Sequence, residues 1–184
     1  MKKFLKITAF VVAGLFVVVT AGGFLLPRKL RVSRSITVGA PPEAIYPLIA
    51  NLKDGWSQWS PFGPAVYQNL KMEYSGPTEG VGAMQRWDSP DSGDGYLRIV
   101  RADPARGVEM ELGMMQETYK ATGSLLCEPA TDGTRVTWTD EFDYGNNPYR
   151  RYMSVIIGGV LEQSFDQGLT ALKKKVEERV AVVR

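Results

Sequence analysis

The chain has 184 residues, 44% of them hydrophobic and 23% charged, a length and balance that suit one folded domain and exclude an intrinsically disordered chain. Three of its 22 basic residues, Lys2, Lys3 and Lys6, precede every acid; the remaining 19 face 20 acidic residues, which excludes the basic footprint of a nucleic-acid binder. Histidine is absent, which removes the commonest general base, any Ser-His or Cys-His pair and most zinc sites, and the single Cys127 permits no intrachain disulfide.

Ile7 to Leu26 is a run of 20 residues without a charge, enough at about 1.5 Å per residue to cross a hydrocarbon core of roughly 30 Å. The rival reading is a cleaved signal peptide with Val19-Thr20-Ala21 as its small-residue site. Phe24-Leu25-Leu26 carries the apolar run past that site and favours a retained anchor through residues 7–26. Lys2, Lys3 and Lys6 before the run are balanced by Arg28, Lys29, Arg31 and Arg34 after it, so the positive-inside bias nearly cancels. The short basic start resembles a secretory signal, which puts the domain outside the cytoplasm; a cytoplasm-facing domain, or secretion or a periplasmic location after cleavage, stays open. The expected division is an anchor over residues 1–27 and a folded domain over residues 28–184.

Val32 to Val38 reads as a strand with Val32, Arg34, Ile36 and Val38 on one face. Gly39-Ala40-Pro41-Pro42 breaks it, and Glu43 to Leu52 reads as a helix that Pro47 keeps short or kinked. In DGWSQWSPFGP, Trp56 and Trp59 stand one helical turn apart and read as core plugs, because buried aromatics carry large apolar area. From Val66 to Tyr144 the chain becomes six alternating segments separated by turn sequences such as SGPTEGVG, SPDSGDG and EPATDG. Short turns between consecutive strands imply an antiparallel meander whose apolar face needs a cover. Pro148 to Val180 supplies it as one amphipathic helix, apolar at Tyr149, Met153, Ile156, Ile157, Val160, Leu161, Phe165, Leu169, Leu172 and Val176. Gly158, Gly159 and Gly168 inside that helix each cost about 1 kcal/mol against alanine, which points to close packing there or to room left for a bound molecule. Lys173, Lys174 and Lys175 complement the dipole at the helix end.

The stretches SITVGAPPEAIYPLIANL, WSQWSPF, YSGPTEGVGA and ATGSLLCEPATDGTRVTWTDEF, followed by a closing helix with FDQGLTALKKKVE, resemble the START-like SRPBCC superfamily and, within it, bacterial polyketide cyclase/dehydrase-type proteins. The resemblance spans roughly residues 30–180. It implies an α+β helix-grip fold: a curved seven-stranded antiparallel sheet wrapped around a long C-terminal helix, with two short helices after strand one, here preceded by one transmembrane helix. It implies a cavity but no particular reaction and no cofactor, since members range from lipid carriers through cyclases to chaperone co-factors.

Within such a fold the inward alternation nominates the cavity wall. Gln85, Trp87, Leu97 and Ile99 come from the earlier strands, then Met110, Leu112, Met114, Ala121 and Gly123. Trp138, Asp140 and Phe142 follow on the last strand, and Ile157 and Leu161 on the helix. The methionines at 72, 84, 110, 114 and 115 offer an adaptable lining. Polar groups to orient a ligand are sought among Arg34, Gln85, Asp140 and Tyr144, each interrupting or ending an inward alternation. Because the resemblance makes the first and last strands neighbours, Arg34 and Asp140 are expected to form a buried ion pair at the cavity wall. The first functional reading is membrane-tethered binding of a hydrophobic small molecule or lipid. An enzyme of cyclase or dehydratase type and a protein-interaction module are the alternatives. Cys127 lacks a histidine to activate it, and no metal-ligand spacing, Walker loop or dinucleotide fingerprint is present.

Overall fold

Runs that place an apolar side chain at every second position bury one face and satisfy their backbone groups by pairing with neighbours. The structure, a computed structural model, describes residues 2–63, 66–67, 69–90 and 93–183, with the backbone alone at Lys2 and Val183. Pro64 of the tryptophan segment and Asp91 and Ser92 of the SPDSGDG turn lie outside the described residues. The elements are α1 (Lys2–Leu25), β1 (Lys29–Val38), α2 (Pro42–Ala50), a 3-10 turn (Trp56–Gln58), β2 (Lys71–Ser75), β3 (Met84–Asp88), β4 (Gly95–Asp103), β5 (Gly107–Met114), β6 (Tyr119–Ala130), β7 (Gly133–Asp143) and α3 (Pro148–Val183).

All seven strands form one sheet in the order β1-β7-β6-β5-β4-β3-β2, antiparallel throughout, with a bulge between Ile99 and Arg101. The meander from β2 to β7 follows the turns, and β1 closes beside β7. α3 crosses the inner face against β1 and β7, the helix-grip arrangement. β1 begins at Lys29 rather than Val32, because its ladder continues to Lys29 opposite Asp143. Arg28 donates from Nε and Nη2 to the two oxygens of Asp143, at 2.9 and 2.8 Å, and Lys29 Nζ reaches Glu141 at 2.6 Å. The Arg28 guanidinium, helped by the Gly145 N–H, holds the Asp143 carboxyl down to about 2. Two of the basic residues that follow α1 are thus already paired.

The second short helix after β1 is only the 3-10 turn, and its tryptophans are core plugs. Trp56 and Trp59 are each 4% exposed, with ring centroids 5.1 Å apart. Their indole N–H groups donate to the carbonyls of Ile49 and Leu48, at 2.6 and 2.8 Å. Carbonyls in the last turn of a helix have no partner within it, so the tryptophans cap α2 while filling the core. α3 runs to Val183, which leaves the lysine triplet short of the last turn. Lys173 Nζ instead donates to the Thr37 carbonyl at 2.7 Å and pairs with Glu177.

Between α1 and β1 lie only residues 26–28, and the end of α1 packs on the start of α3. Tyr152 Oη donates to the Val19 carbonyl at 2.7 Å, the Tyr149 and Thr20 hydroxyls are 2.7 Å apart, and Arg151 Nη1 donates to the Phe24 carbonyl at 3.2 Å. The rest of α1, uncharged from Ile7 onward, has no cover among the described residues.

Candidate functional site

The space between the inner face and α3 is filled at one end and open at the other. At the filled end Trp138 of β7 stacks on Phe165 of α3, centroids 4.1 Å apart and planes 6° from parallel, with Trp56, Trp59 and Phe62 in T-shaped contact with it. Gly168 permits this contact: a Cβ there would lie 2.9 Å from Pro61 Cδ and 3.0 Å from Trp138 Cζ3. Beyond the stack the packing stops and leaves a cavity of about 300 Å³.

Eleven of the fourteen residues nominated from sequence line that cavity: Gln85, Trp87, Leu97, Met110, Leu112, Met114, Trp138, Asp140, Phe142, Ile157 and Leu161. Three do not. Ile99, 1% exposed, belongs to the packed core, although Met110 opposite it on β5 reaches the cavity. Ala121 packs with Phe142 and Tyr144 in a separate small cluster under the first turns of α3. Gly123 stands behind the wall, where a Cβ would come within 2.7 Å of Asp140 Oδ1 and 3.1 Å of Leu112 Cδ1. Trp56, Phe62, Tyr67 and Leu70 complete the wall from the irregular segment before β2, and Val160 and Ser164 complete it from α3. Ser164 was legible as the next step of the Ile157, Leu161 stripe. The alternation read from Val66 onward forms a strand only from Lys71, so the places of Tyr67 and Leu70 on the wall did not follow from it. Met115, exposed, and Met72 and Met84 are not part of the wall.

The expected Arg34 to Asp140 ion pair is not formed. Register puts Arg34 opposite Trp138 and Asp140 opposite Val32. Arg34 lies on the inner face of the edge strand β1, opposite Trp138, and its long side chain reaches the polar flank of α3. There its Nη2 meets Glu162 at 2.5 Å and its Nε meets Asp166 at 3.3 Å. Asp140, 5% exposed, is left with one hydrogen bond, accepted from Trp138 Nε1 at 3.2 Å. Burial pushes its carboxyl up to about 7, against a smaller opposing effect of that bond. Gln85 is equally buried, at 6% exposed, and no described group hydrogen-bonds its side chain. Tyr144 is turned away from the cavity, its ring against Tyr119 and its hydroxyl buried without a hydrogen-bond partner among the described residues; burial raises it to about 12.

No lysine or arginine lines the cavity among the described residues, and its titratable side chains there are Asp140 and Tyr67. Burial raises the Cys127 thiol to about 11, out of range of thiolate chemistry near neutrality. Two wider depressions, of about 650 and 680 Å³, lie around outward-facing residues such as Arg86 and Tyr96, and Arg101 and Glu109. They are solvated grooves on the far side of the sheet, and Arg101 and Glu109 pair across one of them at 3.4 Å.

Residues 29–177 match the family model described as polyketide cyclase / dehydrase and lipid transport. Among curated proteins no sequence matches. Solved structures share the fold at low identity. A protein of unknown function from Staphylococcus aureus, SA2116, is 13% identical with a TM-score of 0.60, covering 83% of this chain and 96% of its own. Ara h 8.0201 is 15% identical with a TM-score of 0.58, covering 82% and 99%. DynU16, from the dynemicin biosynthetic locus, is 16% identical with a TM-score of 0.55, covering 82% of this chain and 48% of its own.

Proposed function

The chain belongs to the polyketide cyclase/dehydrase and lipid-transport family, and from that premise we propose that residues 28–184 hold a hydrophobic small molecule or lipid between sheet and α3, while residues 1–27 tether them to a membrane. The observation that carries the reading is the cavity wall itself: apart from Gln85, Asp140, Ser164 and the Tyr67 hydroxyl, it is aliphatic, aromatic or thioether. A space of this size and lining excludes water from an apolar guest and orients it with a few polar groups. Among the described residues the wall has no activated nucleophile, which favours binding over turnover.

The tether is supported by α1, whose 24 residues reach about 36 Å. Only three residues separate it from β1, so the domain sits at the bilayer surface with the start of α3 beside it. Tyr149, Tyr152, Arg150 and Arg151 there suit a membrane–water interface. Val155, Ile156 and Val160, about two-thirds exposed, continue along α3 from the α1 contact and face lipid in this reading. Val160 also lines the cavity, so the guest enters from the bilayer side.

Organic extraction of the purified full-length protein, with mass spectrometry of the extract, tests the binding reading. A recovered apolar compound that also raises the melting temperature is the expected result. An empty extract, with no thermal shift from any lipid tried, overturns it. Retention of the protein in membranes through carbonate washing tests the tether, and a mature amino terminus at Gly22 would replace it with a cleaved signal.

One observation favours a second reading, an enzyme of cyclase or dehydratase type: a buried carboxyl that titrates near neutrality can move a proton at physiological pH. Equal turnover of a model polyketone by the wild type and Asp140→Asn would remove it.

A further inference from the structure

Asp140 is an acid in a wall that gives it almost nothing to bind. A carboxylate has about four acceptor positions, and one is used, by the Trp138 indole. Its neighbours across the sheet are Val32 on β1 and Gly123 on β6, neither with a side-chain donor. The cation that sequence reasoning offered, Arg34, is held by Glu162 and Asp166. Leaving a charge unpaired in an apolar site is among the costliest arrangements in a protein core, so without a cation beside it the carboxyl is partly protonated near neutral pH.

The surroundings nevertheless make room for it. Gly123 lies within a strand paired on both sides, a place where glycine weakens a sheet and commonly marks the close approach of another group. A side chain there would collide with the Asp140 carboxyl at 2.7 Å. Aromatic side chains surround the same space: Trp56, Phe62, Trp87, Trp138 and Phe142. Faces of this kind attract cations, most strongly where water is excluded.

Resting on the ligand-holding reading above, we infer that the guest is a lipophilic amine, an apolar body with one ammonium group that supplies the counter-charge Asp140 lacks. An ammonium satisfies the free carboxylate positions, offsets the charge and meets the aromatic faces. A hydroxyl head group supplies one donor and no charge. A carboxylate or phosphate head group supplies no donor and brings like charge wherever Asp140 is ionised, so the cavity disfavours fatty acids and anionic phospholipids relative to the amine.

The test uses full-length protein in amphipol and three probes that share one ring system: 2-(1-naphthyl)ethylamine, 2-(1-naphthyl)ethanol and 1-naphthylacetic acid, titrated by calorimetry at neutral pH. The amine is expected to bind about 10- to 100-fold more tightly than the alcohol, the range a charge-assisted hydrogen bond supplies, and the acid more weakly than either. In Asp140→Asn the amine preference should vanish while alcohol binding persists, which also reports an intact fold. Equal binding of amine and alcohol by the wild type, tightest binding of the acid, or an amine preference that survives Asp140→Asn overturns the inference and leaves the cavity reading standing. Binding of none of the three overturns both. Should Asp140→Asn fail to fold, the ranking of the probes by the wild type still decides.

Discussion

The two halves of α3 carry the same apolar spacing and meet different fates. In the second half Phe165, Leu169, Leu172 and Val176 are at most 1% exposed. In the first half Tyr149, Val155, Ile156 and Val160 are 44–66% exposed. The difference lies in what stands opposite. The second half meets Trp138, the α2 core and the paired tryptophans, which fill the gap to contact. The first half spans a cavity on one side and touches α1 on the other. An amphipathic helix therefore specifies which side chains need cover without specifying what covers them: core, guest or membrane.

Removing a large side chain from each half gives the strongest contrast. Phe165→Ala should lose about 3–5 kcal/mol in urea unfolding, through lost transfer energy and the cavity left beside Trp138. Ile156→Ala should change stability by less than about 0.5 kcal/mol, as exposed positions do. Comparable losses at both sites would mean that the first half is covered within the protein, and the contrast would fail.

Next in size is the pH response of the open half. With the folded-state carboxyl of Asp140 raised to about 7 from an ordinary 3.8, the folded protein binds the proton more tightly than the unfolded chain. That stabilisation is fully present below about pH 4 and is lost as the pH rises to about 7, a difference on the order of 4 kcal/mol. No other acid or base lines the cavity among the described residues except Tyr67, and nearby Arg34 on β1 is paired to α3, so the response belongs to Asp140. Asp140→Asn should remove this component of the fall and exceed the wild type in stability at pH 8. Parallel pH profiles of the two proteins, by urea midpoint from pH 4 to 8, would contradict it.

The smallest effects sharpen the comparison at the helical glycines. Gly168→Ala, in the filled half, should cost about 1–3 kcal/mol through overpacking against Pro61 and Trp138, less the gain in helix propensity. At Gly159 a Cβ meets nothing within 4 Å, so Gly159→Ala should gain about 0.5–1 kcal/mol. A loss at Gly159 in protein reconstituted into bilayers, absent from detergent solution, would indicate that something approaches that face. The one sequence pattern, glycine in an amphipathic helix, thus has two meanings, and only Gly168 is a packing glycine.

What the sequence determined by itself is the set of faces. Alternation over Val136 to Tyr144 and Ala121 to Cys127 marked the inner side of β7 and β6 correctly, and the helical spacing located the covering side of α3, because each is a local property repeated every few residues. Eleven cavity residues followed from those faces together with the resemblance to helix-grip proteins. The tertiary structure decided everything that depends on which distant element arrives opposite. Arg34 serves Glu162 and Asp166 rather than Asp140, across 128 and 132 positions of chain, because β1 lies at the sheet edge within reach of α3. Phe62, Tyr67 and Leu70 reach the cavity from the stretch before β2, where the alternation read from Val66 onward forms no strand until Lys71. Asp140 is a buried acid with a single hydrogen-bond partner among the described residues because the stack of Trp138 on Phe165 ends the packing beside it, leaving a space that no local pattern encodes.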